Sequence, residues 1–139
     1  MPIEDLARSS VVSVSPDDSI QSVAQTMDAE SVGSVIVEND AKPVGIVTDR
    51  DLTMRVIANG EEPTDSPVES IMTENVTTVD CDDGFYTAME RMRESGVRRL
   101  PVCENGDLVG IITADDMTEL LADEQQQIAD VLRTQRPPY

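Results

Sequence analysis

The sequence predicts an α/β (α+β) fold, with two pseudo-symmetric β-α-β-β-α units packed sheet to sheet. The first observation behind this is a repeat. Val44-Gly45-Ile46-Val47-Thr48-Asp49-Arg50-Asp51-Leu52 returns 65 positions later as Val109-Gly110-Ile111-Ile112-Thr113-Ala114-Asp115-Asp116-Met117, and the offset holds without a gap from Val14/Val79 to Leu52/Met117. Identical pairs include Asp17/Asp82, Met27/Met92, Val32/Val97, Val37/Val102, Gly45/Gly110, Thr48/Thr113 and Asp51/Asp116. A repeat this long is one supersecondary unit used twice. Secondly, strand-like and helix-like apolar spacing follow one another in the same order in both copies. The third observation is size: a half of about 50 residues buries too little surface alone, so the halves must share their sheets.

The elements follow in order. Residues 2–7 read as a short helical lead-in, and Val11-Val12-Ser13-Val14 as a β-branched strand. Ser15-Pro16-Asp17-Asp18-Ser19 is a turn suited to starting a helix; Ile20, Val23, Ala24 and Met27 then fall at helical spacing. Ser34-Val35-Ile36-Val37-Glu38 and Val44-Gly45-Ile46-Val47 form a hairpin around residues 39–42. Thr48 caps a helix over 48–58, with Leu52, Val56 and Ile57 on one face. Residues 59–65 are polar and broken by Gly60 and Pro63. In 66–72, Ser66 and Pro67 mark the start of a short helix. The second unit repeats the first: a strand at 76–79, a helix at 84–95 and hairpin strands at 98–103 and 108–112. A helix then starts near Thr113 and runs as far as Arg133 on the stripe Leu120, Leu121, Ile128, Val131, Leu132. Residues 135–139 should fray. The units are thus 8–58 and 67–134, the second with an extended C-terminal helix, and 59–66 is the linker.

Composition narrows the function. The net charge is −18, from 28 acidic and 10 basic residues, and phosphate repulsion makes nucleic acid an unexpected partner. Lys42 is the single lysine among the ten cations. Many carboxylates with almost no Lys is the pattern of proteins from salt-loving archaea, where molar salt screens self-repulsion. This halophilic, haloarchaeal reading predicts instability at low salt. The chain has no His, which excludes a His-based triad, a His general base and a zinc site; no metal is expected. Cys81 and Cys103 read as free, inert small hydrophobes. No apolar run reaches about 18 residues and residues 1–5 lack a signal-peptide pattern, so no membrane association and a cytoplasmic location are expected.

The Thr-x-x-Asp that both copies keep is polar, so ordinary core packing does not explain it. Thr48 and Thr113 suit helix caps, and Asp51 and Asp116 suit the first helical turn. The acidic run Asp80-Cys81-Asp82-Asp83 lacks calcium-loop spacing and reads as a helix start. Met27, Met54, Met89, Met92 and Met117 at helical spacing read as core or dimer contacts.

The order of elements, the two Gly-h-h-Thr-x-x-Asp endings, and Gly96-Val97-Arg98-Arg99-Leu100-Pro101-Val102 together resemble the CBS domain, named from cystathionine beta-synthase. The resemblance covers residues 8–123 and implies a tandem CBS pair, or Bateman module, here without an attached catalytic or transport domain. It further implies a cleft between the units that binds an adenosine-containing ligand: AMP, ADP, ATP or S-adenosylmethionine. By match, Asp51 with Thr48 and Asp116 with Thr113 would hold ribose, the carboxylate accepting charge-assisted bonds from vicinal hydroxyls. Arg98 and Arg99, and Arg50 inside the first motif, match positions where basic residues meet phosphate. The copies differ here: Gly33-Ser34 stands opposite Arg98-Arg99, and Asp115 opposite Arg50. That asymmetry predicts one stronger and one weak or empty site.

The expected function is therefore a non-enzymatic regulatory sensor for an adenine nucleotide, a homodimer acting on an unknown regulated protein, with no obligatory cofactor. The family's dimers meet through helices, and the stripes at 20–27 and 88–92 are candidates for that contact. The alternative is a ligand-free dimerisation or protein-interaction module.

Overall fold

A computed structural model describes residues 2–137. A 3-10 turn, Ile3–Asp5, precedes β1 (Ser13–Val14), α1 (Ile20–Glu30), β2 (Ser34–Asn39) and β3 (Lys42–Thr48). Helix α2 begins as Asp49–Asp51 and continues as a π-helix, Leu52–Ile57. A second 3-10 turn, Val68–Ser70, leads to β4 (Val79–Asp80), α3 (Phe85–Ser95), β5 (Arg99–Glu104), β6 (Asp107–Thr113) and α4 (Ala114–Thr134). The frayed tail foreseen over 135–139 extends to Pro138 and Tyr139, which lie outside the described residues.

Each unit is a three-stranded mixed sheet, in the orders β1-β2-β3 and β4-β5-β6. β1 runs parallel to β2, β2 and β3 form an antiparallel hairpin, and β4, β5 and β6 repeat this. Even the irregularity is duplicated: the register slips between Val37 and Glu38, and again between Val102 and Cys103.

Strand alternation explains how the halves meet. Val35 and Val37 point into the first core with Val23, Met27 and Val47, and Leu100 and Val102 into the second with Ala88, Met92 and Ile112. Ile36 and Pro101, one residue along, belong to the opposite faces and are nevertheless fully buried. Only the other unit is there to cover them, so the sheets pack face to face, with β3 against β6. The Leu108 N–H donates to the Ala41 carbonyl at 2.7 Å, and Lys42 pairs with Asp107 at 3.2 Å across the same junction.

The lead-in segments are crossed. Ile3 sits fully buried in the second unit's core, and its N–H donates to the Asp83 carbonyl. Val68 and Ile71 pack into the first unit's core, with the Val68 N–H donating to the Asp18 carbonyl.

Several local expectations change. Helix 48–58 was expected to bury Leu52, Val56 and Ile57 on one face. Its N–H groups instead reach back five residues, as from Ala58 to Thr53, which shifts the angular spacing; Val56 stays buried and Ile57 is 77% exposed. The strand expected at 76–79 shrinks to Val79–Asp80, after Asn75 takes a left-handed turn at φ 55°. Pro67 is extended and precedes the 3-10 turn Val68–Ser70 rather than opening a helix, since Glu69 and Val68 bond to the turn before α1. The stripes at 20–27 and 88–92 are consumed by their own cores: Ile20, Val23, Met27, Ala88 and Met92 are all buried. The apolar groups left exposed include Met54, Tyr86, Met89 and Leu121, and on the outer part of α4 Ile128, Val131 and Leu132.

Candidate functional site

Both Thr-x-x-Asp motifs fold as reciprocal capping boxes at the end of a hairpin. Thr48 Oγ1 accepts from the Asp51 N–H at 3.2 Å, and Asp51 Oδ2 accepts from the Thr48 N–H at 2.9 Å. Thr113 and Asp116 do the same at 3.1 Å in each direction. The hairpin ends where the sheet ends, so each box stands at a sheet edge with its carboxylate held in a fixed orientation.

The first box faces a cleft of about 390 Å³ between the units, a volume in the range of small-molecule sites. Thr48, Asp51 and Ile46 form one wall; Val97, Arg98 and Arg99 come from the other unit, and 73–77 closes a third side. Ile46, Val76 and Val97 give it apolar surface, and Thr73, Asn75, Thr77 and Ser95 add polar atoms. Thr77 and Ser95 are joined at 2.9 Å through their hydroxyls. Asp51 Oδ1 has only a loose ion pair, 3.7 Å from Arg55 Nε, which leaves acceptor capacity toward the cleft. Arg98 is largely exposed and lies 3.4 Å from Asp115, so part of its charge is already offset.

Of the residues singled out in the sequence, the cleft gathers Thr48, Asp51, Arg98 and Arg99. Arg50 is exposed on the first turn of α2, outside this lining. Thr113 and Asp116 lie at the pseudo-symmetric position, where Arg8 donates to Asp116 Oδ1 from Nε at 2.9 Å and from Nη2 at 2.6 Å. Burial works to raise the Asp116 carboxyl, but the hydrogen bonds from Arg8 and Thr113 outweigh it and hold the group below its ordinary value.

Sequence reading missed Arg8 and the residues of 73–77. Their signal was the same offset of 65 continued upstream, where Arg8 pairs with Thr73 and side-chain identity is lost. Among the described residues, metal-type ligands gather at Glu4, Cys81 and Asp82, within 4.8 Å of one another. Burial, reinforced by Asp82 and other neighbouring acids, pushes the Cys81 thiol up, away from the thiolate a metal needs. Burial does the same to Cys103.

Two α/β repeat units with a cleft at their junction define a tandem-repeat module. The chain belongs to the CBS domain family, whose profile matches residues 3–58 and 68–123, two spans related by the same 65-residue offset. Similar proteins include the uncharacterized protein MK0525 of Methanopyrus kandleri, 34% identical over 120 residues; the match covers 85% of this chain and 61% of that protein's length. Among solved structures, a conserved protein of Pyrococcus horikoshii has 33% identity and a TM-score of 0.75, covering 86% of this chain and 90% of that one. The CBS domain protein PAE2072 of Pyrobaculum aerophilum, solved in complex with AMP, has 28% identity and a TM-score of 0.74, covering 84% of this chain and 89% of that one. No helix among the described residues is long and apolar enough to cross a membrane.

Proposed function

We propose that this protein is a non-catalytic regulatory module that binds an adenosine-containing ligand in the cleft between its two units. The observation that carries the reading is the meeting, in one cleft, of Thr48 and Asp51 from the first unit with Arg98 and Arg99 from the second. Asp51 is the ribose acceptor, and Ile46, Val76 and Val97 offer apolar surface to the base. Arg98 and Arg99 meet the phosphate. Asp115 beside Arg98 opposes a long phosphate chain, so AMP is favoured over ADP and ATP, with S-adenosylmethionine as the other ligand to test. PAE2072, solved with AMP, supports the choice.

A ligand that touches both units favours their closed arrangement by its differential affinity for it. A coupling of about 1–3 kcal/mol is enough to change what the helices present to a regulated protein. Exposed Tyr86, Met89, Met54 and Leu121 favour self-association into a homodimer as the setting for that change.

Calorimetric titration of the folded protein with AMP, ATP and S-adenosylmethionine is the test. Asp51→Ala removes charge-assisted bonds of about 1.5–3 kcal/mol, so it should weaken binding by roughly 10- to 100-fold. Binding unaffected by Asp51→Ala, or no binding by any of the three, would leave the interaction-module reading in its place.

A further inference from the structure

Shifted by the 65-residue register, the positions that line the cleft as Thr48, Asp51, Thr73, Asn75, Arg98 and Arg99 correspond to Thr113, Asp116, Arg8, Ser10, Gly33 and Ser34. The two places are built alike but occupied differently. In the first, Thr73 exchanges backbone hydrogen bonds with Ile46, at 3.0 and 3.1 Å, and its short side chain leaves Asp51 open to the cleft. In the second, Arg8 exchanges the same bonds with Ile111, at 2.9 and 3.0 Å, and its long side chain reaches Asp116. Both Asp116 oxygens are thereby engaged, Oδ1 by the guanidinium and Oδ2 by the Thr113 N–H. The Asp116 side chain is 10% exposed, against 18% for Asp51. The Arg8 backbone is firmly placed, because Ile3 is fully buried five residues upstream and a Cβ on Gly110 would lie 2.9 Å from the Arg8 carbonyl; from there the side chain, 63% exposed, reaches over to Asp116.

We infer that Arg8 is an intramolecular occupant of the second site: its guanidinium takes the carboxylate that a ribose diol would need, and so sets the chain to one bound ligand. The inference rests on reading the first cleft as an adenosine site. Where the first cleft has Arg98 and Arg99 with Asp115 beside them, the matching positions of the second place are Gly33, Ser34 and Arg50. Adenosine carries the ribose diol without a phosphate, so it reads the Asp116 carboxylate directly and is the probe.

The experiment compares wild type, Arg8→Thr (which installs the residue of position 73) and Arg8→Gln by calorimetry with adenosine, with circular dichroism to verify folding. Asp116→Asn is added to each Arg8 variant, and Asp51→Asn to wild type. The expected result is one adenosine per wild-type chain, lost with Asp51→Asn. Either Arg8 variant should bind two, returning to one when Asp116→Asn is added. Two ligands per wild-type chain, or one in the folded Arg8 variants, overturns the inference while the first cleft stands. If wild type binds none and the Arg8 variants bind one that Asp116→Asn removes, the inference stands and the reading of the first cleft falls. No adenosine binding to any folded form overturns the inference, and the first cleft is then decided by its own titration with AMP.

Discussion

At the scale of single residues, the two copies differ where their backbones agree. Both hairpin turns place consecutive residues at positive φ: Asp40 and Ala41 at 51° and 65°, Asn105 and Gly106 at 53° and 85°. Glycine adopts this conformation without steric cost, and alanine does not. Ala41→Gly should therefore raise stability by about 0.5–1 kcal/mol, read as a higher denaturant midpoint with an unchanged slope. The Arg8–Asp116 pair gives a pH signature. Asp116 titrates below its ordinary value when folded, so its contribution is complete above about pH 4 and is lost as pH falls through the folded value. Wild type should exceed Asp116→Asn by about 1 kcal/mol near neutrality, the gap closing in acid; a pH-independent gap would contradict this origin.

At the scale of elements, the repeat was legible where identity and period coincide. Thr48/Thr113 and Asp51/Asp116 appear in the sequence as caps, and they are caps. The strands around residues 34–48 and 99–113 were also legible, because their apolar runs are bounded by turns. The π-helix was not. Leu52, Val56 and Ile57 fit an ordinary helical face, and nothing local announces that the N–H groups will reach five residues back. The strand expected at 76–79 failed for a different reason: β-branched Val76, Thr77 and Thr78 satisfy strand propensity, yet Val76 and Thr77 line the cleft. Arg8 was illegible because its role depends on a contact 108 residues away and on a repeat register that no matching side chain marks.

At the scale of the whole molecule, charge dominates. Among the described residues there are six ion pairs, against 28 acidic side chains in the sequence. Most of the carboxylates therefore repel one another with no cation at hand. Self-repulsion of this size opposes the compact state until salt screens it, the Debye length being about 3 Å at 1 M. The melting temperature should climb steeply between about 0.1 and 2 M KCl, and a flat profile would remove the case for salt adaptation.

The crossed lead-in segments make the two repeats hostages of each other. A backbone cut at the Gly60–Pro63 stretch would leave Ile3 anchored in the second half and Val68 with Ile71 anchored in the first. Severing the connection should therefore not separate the pieces. Residues 1–62 and 63–139 made as separate chains should reassemble into a native-like heterodimer, detectable as co-elution, while each piece alone stays unfolded for want of the other's apolar plug.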